Sequence, residues 1–117
     1  MKKILVVDDS LFMRQSLRTI FESHGYQVIG EADNGEKAVE AFGKLQPDLV
    51  TMDVTMPVMD GVEALKKIKS MDPKAKVLMV TAMGQESIVK EAVMQGANGF
   101  VVKPIIADVL IKAVNKL

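Results

Sequence analysis

Five short apolar runs, each followed by apolar residues at helical spacing, constrain this 117-residue chain more tightly than any other feature it has. The runs are Ile4 to Val7, Val28-Ile29, Leu49 to Met52, Val77 to Val80 and Phe100 to Val102. Ile4 to Val7 is apolar throughout, rather than at every second position, as expected of a central parallel strand buried on both faces. The patterns that follow are Met13, Leu17, Ile20 and Phe21; Ala38, Val39, Phe42 and Leu45; Val62, Leu65 and Ile68; Ile88, Ala92 and Val93; and Val109, Leu110, Ala113 and Val114. Their spacing predicts one helix after each strand, with these residues on its buried stripe. Ser10 and Asp60 are predicted helix caps, and His24-Gly25, Gln46-Pro47, Asp72-Pro73 and Gly96 are predicted breaks. Strands alternating with helices imply right-handed crossovers, hence an α/β fold: a five-stranded parallel sheet, doubly wound, in one domain over residues 1–117.

Ligands of such sheets bind beyond the C-terminal ends of the strands, so the residues closing each run carry the most information. They are Asp8 and Asp9, Asp53, Thr81 and Lys103. Acids converging on one edge repel one another unless a cation joins them, and hard divalent ions prefer oxygen ligands, which predicts a Mg²⁺ site at Asp8 or Asp9 with Asp53. Two or three carboxylates cannot complete the shell of Mg²⁺, which commonly adds water and phosphate oxygens, so a phosphoryl substrate is expected. Lys103 can pair with Asp53 and then with the transferred group, Thr81 can offer a hydroxyl to another oxygen, and a free carboxylate can attack in line. Asp53 is the expected nucleophile because it follows the middle run and precedes an irregular loop.

Composition removes other classes. Fifteen basic residues balance fifteen acidic ones, so there is no positive field to hold nucleic acid or an anionic membrane. The absence of cysteine excludes disulfides, thiolate metal sites and a cysteine nucleophile. No stretch approaches the roughly 20 apolar residues of a membrane span. A cytoplasmic protein is expected.

Four segments, Val-Val-Asp-Asp-Ser from Val6, Thr-Met-Asp-Val-Thr-Met-Pro-Val-Met-Asp-Gly from Thr51, Val-Thr-Ala-Met-Gly from Val80 and Val-Lys-Pro from Val102, together resemble the receiver family of two-component response regulators. The resemblance spans nearly the whole chain. It implies a flavodoxin-like strand order 2-1-3-4-5. It implies that Asp53 accepts a phosphoryl group from a histidine kinase or a small acyl phosphate, that Asp9 binds Mg²⁺ directly and Asp8 through water or as an assistant, and that the Thr55 carbonyl completes the protein ligands. It implies also a cis Lys103-Pro104 bond, a Thr81 that moves toward the phosphoryl group, and a Phe100 that rotates inward and biases the fourth helix, fifth strand and fifth helix toward a partner. Such a chain is a signalling protein that catalyses its own phosphorylation and dephosphorylation, and a monomer is expected.

Phe-Met-Arg after the acid pair and Ala-Met-Gly-Gln after Thr81 narrow the likeness to the stand-alone chemotaxis branch of the family. That branch implies a flagellar switch protein or a phosphatase as partner. A phosphorelay intermediate facing a histidine phosphotransfer protein, or the receiver of a longer regulator, is the alternative, since the chain ends at Leu117 as the fifth helix closes. Leu11, Phe12 and Met13 at the first turn of the first helix, extended by Ile105 and Ile106, form a candidate dock for a histidine-bearing helix. Two departures from the family pattern stand out: Ile105 where Phe often follows Lys-Pro, and Thr55 at the variable position two places after the phosphorylated acid. A flavodoxin is disfavoured because Asp8-Asp9 would repel a flavin phosphate. A haloacid-dehalogenase-type phosphatase would carry a second acid where Thr55 stands.

Overall fold

The computed structural model describes residues 2–117. The elements are β1 (Lys3–Val7), α1 (Leu11–Ser23), β2 (Gln27–Ala32), α2 (Gly35–Leu45), β3 (Leu49–Met52), α3 (Gly61–Met71), β4 (Val77–Thr81), α4 (Glu86–Met94), β5 (Gly99–Val102) and α5 (Ala107–Asn115). The five strands are parallel and run in the order β2-β1-β3-β4-β5, so the doubly wound topology implied by the resemblance is the observed one.

Alternate strand residues feed two separate cores. Leu5, Val7, Val50, Met52 and Met79 pack with Ala38, Phe42, Ala64, Leu65, Ile68 and Ala92, beneath α2, α3 and α4. Ile4, Val6, Leu49, Leu78 and Val80 pack with Leu17, Phe21, Leu110 and Val114, beneath α1 and α5. Every residue of β3 and β4 is buried, which is why those runs contain no alternation. Each full burial of a Leu, Ile, Val or Phe side chain contributes roughly 1.5–3 kcal/mol, so these two layers dominate the stability of the domain.

The local signals act as expected. Ser10 and Asp60 accept hydrogen bonds from the N–H groups of Met13 and Glu63, capping α1 and α3, and Asn34 does the same for α2 through Lys37. Helix α2 stops at Gln46, whose φ of 49° is left-handed, just before Pro47. Gly25 and Gly96 also take positive φ where their helices end.

Three positions read as buried stripe are exposed instead: Leu45 (42%), Val93 (58%) and Val109 (50%). Leu45 is the last residue of α2, while α4 and α5 flank the edge strand β5, which covers only a narrow stripe of each helix. Strand β2 is also longer than its apolar pair, because Gly30 and Glu31 interrupt the run of an edge strand without ending its pairing to β1.

Among the described residues one buried side-chain polar atom lacks a partner. Thr51 lies in β3 opposite Val6 and Leu78, fully buried, and its hydroxyl makes no hydrogen bond. Thr51→Val removes this desolvated hydroxyl, and urea unfolding is expected to show a gain of about 1 kcal/mol. An equal loss would mean that the hydroxyl has a hydrogen-bonding role in solution.

Candidate functional site

The sheet order brings the predicted residues to one edge. Asp8 follows β1, its N–H donating to the Ala32 carbonyl (3.0 Å) and its Oδ1 accepting from the Ser10 N–H (2.9 Å). Asp53 follows β3, its N–H donating to the Val7 carbonyl (3.1 Å) and its Oδ1 accepting from the Val54 N–H (2.7 Å). Lys103 follows β5, and its N–H donates to the Thr81 carbonyl at 2.8 Å. From there its ammonium reaches across two strands: Nζ lies 2.6 Å from Asp8 Oδ2 and 3.2 Å from Asp53 Oδ2. The expected partner of Lys103, Asp53, is thus shared with Asp8, which it approaches more closely.

Asp8 and Asp53 are buried and Asp9 is exposed, yet one carboxylate oxygen from each lies within 4.8 Å of the others. Three carboxylates converge while a single ammonium pairs with two of them, Asp8 and Asp53, a donor set and charge balance that fit a hard divalent cation such as Mg²⁺. Thr81 is fully buried at the end of β4, and its Oγ1 accepts from the Met83 N–H at 3.2 Å, leaving its own hydrogen to be donated elsewhere. Thr55 is exposed on the loop after Asp53, and Phe100 is half-buried in β5 against the α2, α3 and α4 layer. The Lys103-Pro104 bond is cis.

Burial pushes the Asp8 carboxyl above its ordinary value, and the hydrogen bonds and charge of Lys103 and the Ser10 N–H offset only part of that push. Burial alone would lower the Lys103 ammonium, but its hydrogen bond to Asp8 and the charges of Asp53 and Asp8 outweigh it and hold the group above its ordinary range. The two shifts act in different pH windows. An acid whose folded pKa is raised contributes stability in full below its unfolded value of 3.8, and that contribution is lost as pH rises through the raised value. A lysine raised above 10.5 loses its contribution only in alkali beyond that value. Between these windows Lys103 stays cationic. In metal-free protein the stability of wild type relative to Asp8→Asn is therefore expected to fall as pH rises from 3 toward 7, read by urea titrations at each pH. A difference that rises with pH would reverse the assignment.

The loop from Asp53 to Asp60 is held by backbone contacts with two helix starts. The Gly61 N–H donates to the Val54 carbonyl (2.8 Å), and a Cβ at Gly61 would lie 1.8 Å from the Asp53 carbonyl oxygen. The Gly35 N–H likewise donates to the Met59 carbonyl at 2.9 Å.

Of the candidate docking residues, Leu11 (58%), Phe12 (75%) and Ile106 (60%) are exposed, whereas Met13 and Ile105 are half-buried. Phe12, Met13, Ile20, Pro104 and Ile105 line a largely apolar groove of about 600 Å³ between α1 and the segment after β5; Leu11 and Ile106 lie outside it. Sequence reasoning missed Arg14 and Glu31. The Arg14 guanidinium donates to the Asp8 carbonyl and to Glu31, which also holds Arg18. Their signal, an acid interrupting the second apolar run and two arginines one turn apart, is weak because charged residues on helix surfaces are common.

A five-stranded parallel sheet gathering three acids, a threonine and a lysine at its C-terminal edge is the architecture of a receiver domain, and the family model described as the response regulator receiver domain matches residues 4–115. The chain belongs to that family. It is 50% identical over 114 residues to the chemotaxis protein CheY of Bacillus subtilis, covering 97% of this chain and 95% of that protein. It is also 50% identical over 117 residues to protein CcdB of the same organism, covering 100% of this chain and 98% of that protein. Among solved structures, CheY from a CheX-CheY-BeF3-Mg²⁺ complex of Borrelia burgdorferi superposes with a TM-score of 0.96 at 38% identity, covering 98% of this chain and 87% of that one. The chain is thus a CheY-like receiver domain of a two-component response regulator. Among the described residues no helix is long and apolar enough to cross a membrane.

Proposed function

We propose that this chain is a phosphorylation-dependent switch in which Asp53 accepts a phosphoryl group and the added charge reshapes the α4, β5 and α5 face for a partner. The observation that carries this reading is the meeting of Asp53 Oδ2 with the Lys103 ammonium at 3.2 Å, in a cluster of three carboxylates. Asp53 Oδ1 is occupied by the Val54 N–H, and Oδ2 faces the cation. An Asp53 oxygen forms the bond to phosphorus while the bond to the leaving group, a histidine nitrogen of a kinase or the oxygen of an acyl phosphate, breaks and carries its electron pair away. Lys103 then turns its charge from Asp53 to the phosphoryl oxygens, and the Thr81 hydroxyl donates the hydrogen it has free. Mg²⁺, held by Asp9 and Asp53 with Asp8 and the Thr55 carbonyl in support, would neutralise charge building on the same oxygens.

Moving Thr81 from its buried position leaves space that the half-buried Phe100 can fill. The face these two residues would bias is rich in exposed apolar side chains: Val93, Met94, Val102, Ile106 and Val109. A face of this kind suits a protein partner. Its likeness to CheY proteins supports chemotaxis, with a flagellar switch protein or a phosphatase as the reader, and the complex of the Borrelia burgdorferi CheY with CheX supports partner binding in the presence of beryllofluoride and Mg²⁺. The groove lined by Phe12, Met13 and Ile105 suits a histidine-bearing helix of a kinase or phosphotransfer protein.

NMR of the ¹⁵N-labelled protein with beryllofluoride and Mg²⁺ tests the switch. Shifts at Thr81, Phe100 and the residues of α4 are expected with both additives and absent with either alone. A spectrum that changes only at the acid cluster would leave no switch.

A further inference from the structure

The two arginines of α1 and Glu31 of β2 form a clamp with one unusual end. Glu31 Oε2 is bound by Arg18 (Nη2 at 2.8 Å, Nε at 3.1 Å), and Glu31 Oε1 accepts from Arg14 Nε at 3.0 Å. The remaining arm of Arg14 leaves this pair, and Nη1 donates to the Asp8 carbonyl at 2.8 Å. That carbonyl belongs to the peptide joining Asp8 to Asp9. Asp8 is fixed by other bonds: its N–H is held by Ala32 and its carboxylate by Ser10 and Lys103. Asp9 is exposed, and among the described residues its side chain takes part in no hydrogen bond, so the orientation of its Cα–Cβ bond depends on the backbone before it. Arg14 itself is mostly buried, with 15% of its side chain exposed, and its planar fork lets one guanidinium hold both Glu31 and the carbonyl.

We infer that Arg14 is a positioning residue for the metal site: braced by Glu31, it fixes the Asp8-Asp9 peptide and thereby aims the Asp9 carboxylate at the cation. The inference rests on the proposed Mg²⁺ site and adds to it a residue that touches neither metal nor phosphoryl group. Groups supporting metal ligands in this way typically change affinity by roughly ten-fold or more when removed.

The test compares Arg14→Ala, Arg14→Lys and Arg18→Ala with wild type by calorimetric Mg²⁺ titration and by the ¹³C carbonyl shift of Asp8 in metal-free protein. Arg18→Ala removes the same charge and also loosens Glu31, but leaves the Asp8 carbonyl bonded. Arg14→Ala is expected to weaken Mg²⁺ binding about ten-fold and to move the Asp8 carbonyl resonance, while Arg18→Ala changes affinity less than about two-fold and leaves that resonance in place. Arg14→Lys keeps the charge without the fork and is expected to bind as weakly as Arg14→Ala. Loss of a positive charge beside the acids would by itself strengthen Mg²⁺ binding, so wild-type affinity in Arg14→Lys, or equal losses in Arg14→Ala and Arg18→Ala, would show that the hold on the Asp8 carbonyl does not set the affinity and would overturn the positioning role. If wild type binds Mg²⁺ and Arg14→Ala binds it equally, the positioning role fails and the metal site stands. If wild type binds no Mg²⁺, both fail.

Discussion

Asp53→Asn is expected to abolish covalent labelling by acetyl phosphate and Mg²⁺ while leaving the fold intact. The amide keeps the shape of the carboxylate and can still accept the Val54 N–H bond, but it lacks the anionic oxygen that in the proposed reaction forms the bond to phosphorus. Asp8 shares the pattern of one oxygen on a backbone N–H and one on Lys103, but it is more deeply buried (1% against 6%) and held closer to Lys103 (2.6 Å against 3.2 Å), while Asp9 is exposed and among the described residues has no cation within bonding distance. The substitution also removes one of three converging negative charges, so metal-free Asp53→Asn should be no less stable than wild type. Intact-mass spectrometry reads the label and urea unfolding reads the stability. Persistent labelling of the folded variant at full stoichiometry would move the acceptor to Asp8 or Asp9.

Gly61→Ala carries the second large effect, and it acts on the same residue from behind. The first residue of α3 lies so close to the Asp53 carbonyl that an added Cβ would sit 1.8 Å from its oxygen, a distance that only backbone movement can relieve. Either α3 backs away and loses the Gly61 to Val54 hydrogen bond, or the end of β3 shifts and carries Asp53 away from Lys103. A loss of about 3 kcal/mol is expected, at the upper end of overpacking costs, with slower phosphorylation of whatever remains folded. Gly25→Ala makes the useful contrast. That glycine has a φ of +84° but open space around its Cβ, so its cost is conformational alone, about 1 kcal/mol. Chemical denaturation of the two variants separates collision from backbone preference. Equal losses would mean that the contact at Gly61 is easily relieved.

Much of this was legible in the chain because the signals are local. Solid apolar runs mark strands with no wet face, and β3 and β4 are buried at every position. Ser10 and Asp60 are read as caps because a short side chain beside a helix start can reach only its own first turn. Leu45, Val93 and Val109 have the right period and are nevertheless exposed, since periodicity tells which residues share a face but not how wide the surface covering that face is. Thr51 shows the same limit from the other side: its burial was legible, its lack of a partner was not.

The sequence by itself determined five strand-helix units and the placement of Asp8, Asp9, Asp53, Thr81 and Lys103 at strand ends, because both follow from neighbours a few residues away. Only the tertiary structure decided which of these groups touch. Lys103 reaches Asp8 because β4 and β3 lie between β5 and β1 in the sheet, and the register, pairing Val7 with Met52, Met52 with Met79 and Thr81 with Val102, brings their C-terminal ends to one edge, so a lysine spans residues 95 positions apart. Arg14 reaches the Asp8 carbonyl because α1 packs back over β1 and β2, where Glu31 turns its guanidinium. Contacts of this kind depend on strand order and side-chain reach, and neither is written in the spacing of residues along the chain.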